Sequence, residues 1–353
     1  MTTTEDVDQF LDQARPKIKR AAYGRPVIAL PMGARSKTPK LKTYTRTSTV
    51  GKTLDDGTGL TNWKLRNAVI GVTSRPDLVL AATSHRFDDE RMNEIVEQGM
   101  EAAGTSSAAT IGTALHNFCD AYDHGLEPYV PDLYLPDVHA YLVATVALEP
   151  VVSEEFGVCD ELEVGGTPDR IYRLLCDLQI PGGPLLPAGT LVVGDIKTGK
   201  SLDYGHVAFG VQIAIYARSQ WYDISAGRTV HHYRWGDVPV GDRRPWVYGE
   251  QVNTDWGLII HVHAGRGTAT VHAIDLTLGW QLAELAINVR KIRSTKTISG
   301  PLELVEDYYA AAEAALTLDD LWAIYERAQL SGRWNEHLRA AFSRRKSELE
   351  IAE

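Results

Sequence analysis

Cysteine is scarce in this chain of 353 residues, which contains only Cys119, Cys159 and Cys176. An odd number of widely separated cysteines argues against a disulfide framework and against the paired spacing of a zinc site. Long apolar runs are also missing, because no stretch reaches the ~18 residues that a membrane helix needs. The first residues lack the basic start and apolar stretch of a signal peptide. We therefore expect a soluble, cytoplasmic protein with no membrane partner.

Further absences narrow the class of protein. No Gly-x-x-x-x-Gly-Lys-Ser/Thr phosphate loop occurs, which excludes a fused helicase motor. Internal repeats and low-complexity tracts are absent as well. Basic residues are fewer than acidic ones, and the net charge is −10. The length, with 44% apolar residues, suits one elaborated domain or two small ones with a sizeable core.

Two short segments of the chain carry recognisable chemistry. One contains Pro168-Asp169, and the other reads Gly194-Asp195-Ile196-Lys197-Thr198-Gly199. Side chains alternate along a strand, so Asp195 and Lys197 point to one face and Ile196 points to the other. If the two strands pair, Asp169 and Asp195 converge with Lys197 beside them.

Such a pair of carboxylates favours a metal ion. At a separation of ~4 Å they repel by roughly 1 to 4 kcal/mol, and a divalent cation with a preference for hard oxygen ligands, such as Mg²⁺, removes that cost. A bound metal with a nearby ammonium can lower the pKa of a water and neutralise charge on a phosphate. The pattern therefore indicates phosphodiester hydrolysis.

These segments resemble the motif of the PD-(D/E)xK nuclease superfamily, and other residues resemble its RecB-like exonuclease branch. That branch has a His on a preceding helix, a Glu on an early strand and Gln-x-x-x-Tyr on the following helix. The chain has matching residues in the same order between about 112 and 216, namely His116, Glu154, Gln212 and Tyr216. Five elements in order are a far more specific signal than a lone Asp-x-Lys.

The resemblance implies a first metal at the two aspartates. Asp169 and Asp195 would hold Mg²⁺ (or Mn²⁺), with the backbone carbonyl of Ile196 as a third ligand. Lys197 would orient and help to deprotonate the attacking water, or stabilise charge on the phosphate. Some relatives carry an iron–sulfur cluster held by four cysteines, and with three cysteines we predict no such cluster.

The remaining motif residues would complete a site for two metals. His116 and Glu154 would serve the second ion, with Glu155 as the alternative acid; we favour Glu154 on the alternation of side chains along the strand. Gln212 and Tyr216 lie one helical turn apart and so share a face. The resemblance implies that they orient catalytic residues or contact DNA.

Ordinary structural explanations exist for the same residues. Asp195 could cap a turn, and Lys197 could be a solvated lysine at a strand end. His116 lies beside an apolar helical stripe and could be a helix-edge histidine. Three more histidines, on two later strand candidates, have no carboxylate partner in a metal-binding pattern, and we interpret them as solvent-facing: His261, His263 and His272.

Basic residues are concentrated near the N-terminus. Residues 13–54 contain eleven Lys or Arg and no acid, whereas acidic residues accumulate in residues 302–320. Such a block can follow phosphates by counterion release, and the alternative is a solvated arm. The residues that we expect to contact DNA are Lys37, Lys40, Lys42 and Arg46.

The pattern of elements predicts a restriction-endonuclease-like α/β (α+β) fold. We expect strands at about 150–158, 162–175 and 190–197, a helix at 205–222 and a strand at 229–235, which with the helix around His116 gives an αβββαβ core with a mixed sheet. Residues 1–43 would be a basic, weakly ordered arm, 44–300 the nuclease domain, and 301–353 a helical appendix. Two more strands are predicted at 257–264 and 268–276.

The predicted function is that of a metal-dependent DNA exonuclease resembling those of phages and prophages. Its partners would be DNA and a single-strand annealing protein, because resection of DNA ends feeds strand annealing in recombination. A DNA-binding or assembly protein on a nuclease scaffold that no longer cuts is the first alternative. A structure-specific endonuclease is the second.

Overall fold

The structure is a computed structural model that describes residues 17–31, 39–199, 201–203, 205–224, 243–295 and 307–352. The chain forms two compact units, Met1–Ser294 and Thr295–Glu353. None of the helices in the described ranges combines the length and the apolar character required to cross a membrane.

The secondary structure is mixed α/β, as the sequence predicts at this level. The strands of the described residues are β1 (Val27–Ala29), β2 (Leu41–Thr43), β3 (Thr45–Arg46), β4 (Leu148–Ser153), β5 (Gly157–Cys159), β6 (Val164–Gly166), β7 (Arg170–Leu174), β8 (Leu178–Gln179), β9 (Leu185–Leu186), β10 (Leu191–Thr198), β11 (Gln220–Tyr222), β12 (Arg243–Arg244), β13 (Trp256–His263) and β14 (Thr268–Asp275). The helices are α1 (Thr47–Gly51), α2 (Thr58–Thr73), α3 (Pro76–Ser84), α4 (Asp89–Ala102), α5 (Thr105–Asp123), α6 (Leu135–Ala144), α7 (His206–Ala217), α8 (Leu276–Arg293), α9 (Tyr308–Ala314), α10 (Leu318–Leu330) and α11 (Glu336–Ala352).

A mixed five-stranded sheet in the order β14-β13-β10-β7-β4 forms the centre of the first unit. Its middle strand, β10, begins with an apolar run and is buried along most of its length. Strand β10 runs antiparallel to β7 and parallel to β13. Parallel neighbours need a crossover connection, and α7 provides it between β10 and β13.

Helices cover both faces of this sheet. On one face, Ile213 and Ala214 of α7 pack with Ile171, Val193 and Ile259 of the strands. On the other face, Cys119 of α5 and Tyr141 of α6 belong to a cluster that includes strand residues of β7, β10 and β13. Burial on both faces explains why β10 and β13 read as continuous apolar runs rather than as alternating ones.

Two predicted strands are each divided in the structure. The expected strand 150–158 becomes β4 and β5, and the expected strand 162–175 becomes β6 and β7. In both cases the two halves belong to different sheets, since β5 and β6 lie in a second sheet of order β12-β11-β5-β6-β3. The predicted strand 229–235 lies outside the described residues, and the parallel neighbour of β10 is β13.

The segment before residue 44 is more ordered than we expected, over the parts that the structure describes. Strands β1 and β2 pair antiparallel. Ile28 of β1 is fully buried in a cluster with Tyr44, Phe156, Val158 and Tyr222. Burial of an apolar side chain against the second sheet offsets the cost of ordering this segment.

The second unit contains α9, α10 and α11. Thr317 caps α10, because its hydroxyl accepts a hydrogen bond from the Asp320 N–H and the Asp320 carboxylate accepts one from the Thr317 N–H. The three helices share an apolar cluster, and four aromatic rings meet edge to face within it: Trp322, Tyr325, Trp334 and Phe342.

Candidate functional site

The two aspartates and the lysine of the motif meet at one end of the central sheet. Gly194 of β10 pairs with Arg170 of β7 in antiparallel strands. Asp195, which follows Gly194, therefore lies beside Asp169, which precedes Arg170. The Ile196 N–H donates a hydrogen bond to Asp169 Oδ2 at 2.7 Å. The Lys197 ammonium forms an ion pair with Asp195. The three side chains therefore share one location, as alternation along a strand predicted.

The electrostatic setting of Asp195 differs from that of an exposed carboxylate. Asp195 is almost fully buried, and its carboxylate lies against the Lys197 ammonium. Burial and the nearby charge of Asp169 raise the pKa of Asp195 to about 6, although the Lys197 ammonium acts in the opposite direction. The site thus contains a buried carboxylate whose charge is only partly balanced.

Lys197 remains protonated in this setting. Burial opposes its charge, but the attraction of Asp195 and Asp169 outweighs burial and raises the pKa of the ammonium. Lys197 Nζ also lies 5.1 Å from the centroid of the Phe209 ring on α7, a cation–π distance. The ammonium is therefore held at the site as a cation.

His116 and Glu154 close the site from the side of Asp169. His116 Nε2 lies 3.1 Å from Glu154 Oε1 and 3.9 Å from Asp169 Oδ1. One ligand atom from each of these three residues lies within 4.8 Å of the others. Burial opposes protonation of His116, but the charges of Asp169 and Glu154 outweigh it, so the pKa of the imidazole is raised. The three side chains form a compact donor set with net negative charge.

Glu154 has an unusual backbone conformation. It follows the last residue of β4 and has a φ of 50°, in the left-handed region that non-glycine residues seldom adopt. Its N–H donates a hydrogen bond to the Asp169 carbonyl at 3.1 Å. Our reason for choosing Glu154 was wrong, because the strand ends at Ser153 and its alternation does not extend to Glu154. The strained turn, rather than a strand face, directs its carboxylate to His116.

Glu155, the alternative acid, is directed elsewhere. Its Oε2 accepts a hydrogen bond of 3.1 Å from the indole N–H of Trp221 on β11. The structure therefore brings Glu154, and not Glu155, next to His116. The Ile196 N–H donates a hydrogen bond to Asp169, and the role of the Ile196 carbonyl oxygen as a metal ligand stays a prediction.

Helix α5 reaches the site because Gly112 has no side chain. A Cβ atom at Gly112 would lie 2.7 Å from Thr198 Oγ1 at the end of β10, which is closer than real Cβ contacts allow. The glycine therefore lets the helix approach the end of the strand. His116 follows one turn later on the same helix and so lies at the motif residues.

A buried polar network behind the site was not anticipated from the sequence. The Arg170 side chain is fully buried, and its guanidinium contacts Asp120 and Asp123 of α5 at 2.7 Å each. It also donates a hydrogen bond to the Asp169 carbonyl at 2.6 Å. Tyr141 donates to Asp123 at 2.7 Å. The sequence does contain a pattern that indicates this network: the spacing of His116, Asp120 and Asp123 puts all three on one helical face.

Gln212 and Tyr216 lie on α7 over the two aspartates. Gln212 Nε2 donates to Tyr216 Oη at 3.3 Å. Burial raises the pKa of Tyr216, and the charges of Asp195 and Asp169 raise it further, so its hydroxyl remains protonated. Gly166 makes room for the ring, because a Cβ atom there would lie 3.0 Å from Tyr216 Cε1. Tyr216 is thus a neutral donor next to the acidic residues.

The predicted DNA-contacting residues have different surroundings. Lys37 lies outside the described residues. Lys40 and Arg46 are exposed, and Lys42 is exposed and forms an ion pair with Glu163. An exposed ion pair contributes little to stability, so Lys42 can exchange its partner for a phosphate at small cost.

The three later histidines differ from our expectation in one respect. His261 is buried and its Nε2 lies 3.0 Å from the Gly199 carbonyl oxygen, so its interpretation as solvent-facing was wrong. The reason is the pairing of β13 with β10, which puts His261 directly beside Lys197. His263 is half-buried and His272 is exposed.

The chemistry of the site fits a hard divalent cation. Its donor set consists of carboxylate oxygens and one imidazole nitrogen, which suits Mg²⁺ or Mn²⁺. Burial and the charge of Asp169 raise the pKa of Asp195 despite its ion pair with Lys197, so a cation between the two aspartates would relieve their repulsion.

A scan against protein-family models found no match, and a search of curated proteins found none either.

Proposed function

We propose that this chain is a metal-dependent DNA nuclease of the PD-(D/E)xK type, acting as an exonuclease on duplex ends. The observation that carries the proposal is the convergence of Asp169, Asp195 and Lys197, with His116 and Glu154 adjoining Asp169. The order of α5, β4, β7, β10, α7 and β13 along the chain supports a restriction-endonuclease-like core. No single residue pair would carry this argument, because paired acids and lysines also occur as plain ion pairs.

The acidic residues would hold the metal. Asp169 would be shared between two positions, with Asp195 on one side and His116 with Glu154 on the other. Bound Mg²⁺ supplies a Lewis acid that lowers the pKa of a water and balances charge on the phosphate. The rest of the chemistry belongs to side chains of this chain.

Lys197 has the role of a donor in this proposal. Because the attraction of Asp195 and Asp169 raises the pKa of its ammonium in the metal-free site, we propose that it acts as a charged donor rather than as a base. It would instead donate hydrogen bonds to a phosphate oxygen as negative charge develops there. Of the two roles implied by the resemblance, stabilisation of charge is the one that this electrostatic setting supports.

Gln212 and Tyr216 would position the reacting groups. The Tyr216 hydroxyl is protonated and lies close enough to both aspartates for their charges to raise its pKa. A neutral hydroxyl there can donate a hydrogen bond to a carboxylate or to a phosphate oxygen without adding charge. Gln212 orients that hydroxyl through its amide.

The proposal is tested with end-labelled linear duplex DNA and with circular DNA of the same sequence. Purified protein is incubated with each substrate and Mg²⁺ or Mn²⁺, with a chelator in the parallel reaction. Release of nucleotides from linear DNA, loss of release with chelator, and intact circular DNA are expected. Asp195→Ala should abolish release, whereas the control Asp132→Ala, at an exposed acid outside the site, should not.

Other outcomes would assign the alternatives. Cutting of circular DNA would indicate an endonuclease. Tight binding of DNA without cleavage under every metal condition would refute the enzyme and indicate a binding or assembly protein. If release is seen, its single-stranded product would suit a single-strand annealing protein, which we propose as the partner in recombination.

A further inference from the structure

A second group of polar side chains continues from Lys197 across the neighbouring strands. Lys197 of β10 pairs with His261 of β13, and His261 pairs with Thr270 of β14. Residues paired in this way point to the same face of a sheet. We call the group that extends this row the histidine platform. It consists of five residues of β13 and β14, His261, His263, Thr268, Thr270 and His272, and of His206, the first residue of α7, whose charge acts on His272.

The platform is the open part of a sheet face that is otherwise covered. Further along the same face, Ile259 and Ile274 pack in the core beneath α7. Beyond that cover, Thr268, Thr270 and His272 of β14 are exposed and His263 is half-buried. The opposite face of β14 packs inward, since Ala269 and Ala273 contact the cluster that contains Tyr141 of α6. A ligand can therefore reach β14 from the side on which Lys197 lies.

Hydrogen bonds hold the platform side chains in place. Thr270 Oγ1 lies 2.8 Å from His272 Nε2, and Thr268 Oγ1 lies 3.2 Å from His263 Nδ1. The rings of His261 and His263 are in contact, with centroids 3.9 Å apart. Side chains that are already ordered lose less entropy when a ligand binds.

The hairpin that carries the platform is anchored from behind. Asp137 of α6 is buried, and its carboxylate accepts hydrogen bonds from the N–H groups of Gly265, Arg266 and Gly267 at 2.7, 3.1 and 2.7 Å. These residues form the turn between β13 and β14. The turn is thus fixed to α6, which gives the platform a rigid support.

The platform offers donors and ring faces but no acid. Its six residues are histidines and threonines, in a chain whose net charge is −10. Burial lowers the pKa of His261 and of His272, and the neighbouring histidines lower it further. Neutral imidazoles and hydroxyls donate hydrogen bonds to phosphate oxygens, and imidazole rings also stack with unpaired bases.

We propose that the histidine platform binds the DNA strand next to the phosphate that Lys197 contacts, through its phosphates and through stacking of an unpaired base. A polymer is indicated rather than a free anion because the platform spans two strands beyond β10, a distance of about 10 Å at about 4.8 Å per strand. The inference rests on the proposed function for the identity of the ligand. To that function the inference adds the path by which the DNA strand crosses the β-sheet.

The test measures binding of a fluorescein-labelled single-stranded DNA oligonucleotide to the full chain with a chelator present. We expect the double variant His263→Ala/His272→Ala to raise Kd about tenfold, as the removal of two hydrogen bonds implies. Thr270→Lys should lower Kd about threefold by adding a cation at the centre of the platform. The control His139→Ala, at an exposed histidine of α6, should leave Kd unchanged.

The lysine variant protects the test against misfolding, since a gain in affinity cannot come from an unfolded protein. Unchanged Kd in both platform variants, or no binding of the oligonucleotide by the unaltered chain, would overturn the inference. Cleavage is measured in parallel with Mg²⁺. If cleavage is normal and Kd is unchanged in the platform variants, the inference is refuted and the proposed nuclease function is not. If the chain does not cut DNA but Kd changes in the platform variants as expected, the nuclease function is refuted and the inference is supported.

Discussion

Replacing Asp195 by asparagine tests the electrostatics of the site without any substrate. The substitution keeps the size of the side chain and removes its charge. Asp195 is buried beside Asp169, and together these two effects outweigh the attraction of its ion-pair partner Lys197. In metal-free protein the ionised carboxylate should therefore destabilise the fold, and the asparagine variant should be the more stable protein at neutral pH.

The magnitude follows from the pKa of Asp195. A rise from 3.8 to about 6 corresponds to about 3 kcal/mol, at about 1.4 kcal/mol for each pKa unit. Between these two pH values the folded protein holds the proton more tightly than the unfolded chain does. Stability therefore falls as pH rises through this window, and the loss persists above pH 6. Asparagine removes this contribution at every pH.

The assay is urea unfolding at pH 4, 5, 6, 7 and 8 with a chelator present. The difference in unfolding free energy between variant and unaltered chain should be near zero at pH 4 and grow to as much as about 3 kcal/mol by pH 7. Mg²⁺ should then stabilise the unaltered chain, by about 2.7 kcal/mol at one hundred times its Kd. It should stabilise the variant much less.

A variant that is less stable than the unaltered chain at pH 8 would refute this reasoning. Two curves that run parallel from pH 4 to pH 8 would refute it as well, because they would show that Asp195 does not titrate in the expected window. Asp132→Asn is the matched control. Asp132 is exposed and outside the site, so this variant should follow the unaltered chain at every pH.

Three other experiments with substituted chains test separate parts of the proposed site and fold. Lys197→Ala should lower the cleavage rate by about 10²–10³-fold while changing the Kd for DNA far less, since donors act most strongly on the transition state; equal losses in rate and affinity would make it a binding residue. Gly112→Ala should cost about 1–3 kcal/mol by overpacking against Thr198, measured by urea unfolding, and Thr198→Ala should restore stability in the double variant. The double variant Lys40→Gln/Lys42→Gln should reduce the slope of log Kd against log salt concentration by about one for each phosphate that it no longer neutralises. An unchanged slope would show that these lysines are solvated and do not contact DNA.

The part of the site predicted from sequence depends on short-range rules. Asp195 and Lys197 share a strand face because side chains alternate, and Asp169 reaches them because β7 and β10 pair. Gln212 and Tyr216 share a helical face because they are four residues apart. Such relations need only the correct assignment of a strand or a helix.

The parts that sequence reasoning missed depend on the path of the chain in space. Glu154 reaches His116 through a residue with positive φ, and no periodic pattern predicts such a turn at a glutamate. His261 is buried because β13 pairs with β10, a contact between residues far apart in sequence. The expected strands 150–158 and 162–175 are divided because each bends from one sheet into the other.

The buried network at Arg170 explains how His116 and Asp169 come to lie together. Arg170 follows Asp169 directly, and its guanidinium binds Asp120 and Asp123, which lie one and two turns after His116 on α5. The same contacts therefore fix the helix that carries the histidine and the strand that carries the aspartate. Loss of one partner from a buried ion pair costs about 3–5 kcal/mol, so the helix cannot shift freely along the sheet. Residues outside any recognised motif thus set the distance between two of the proposed metal ligands.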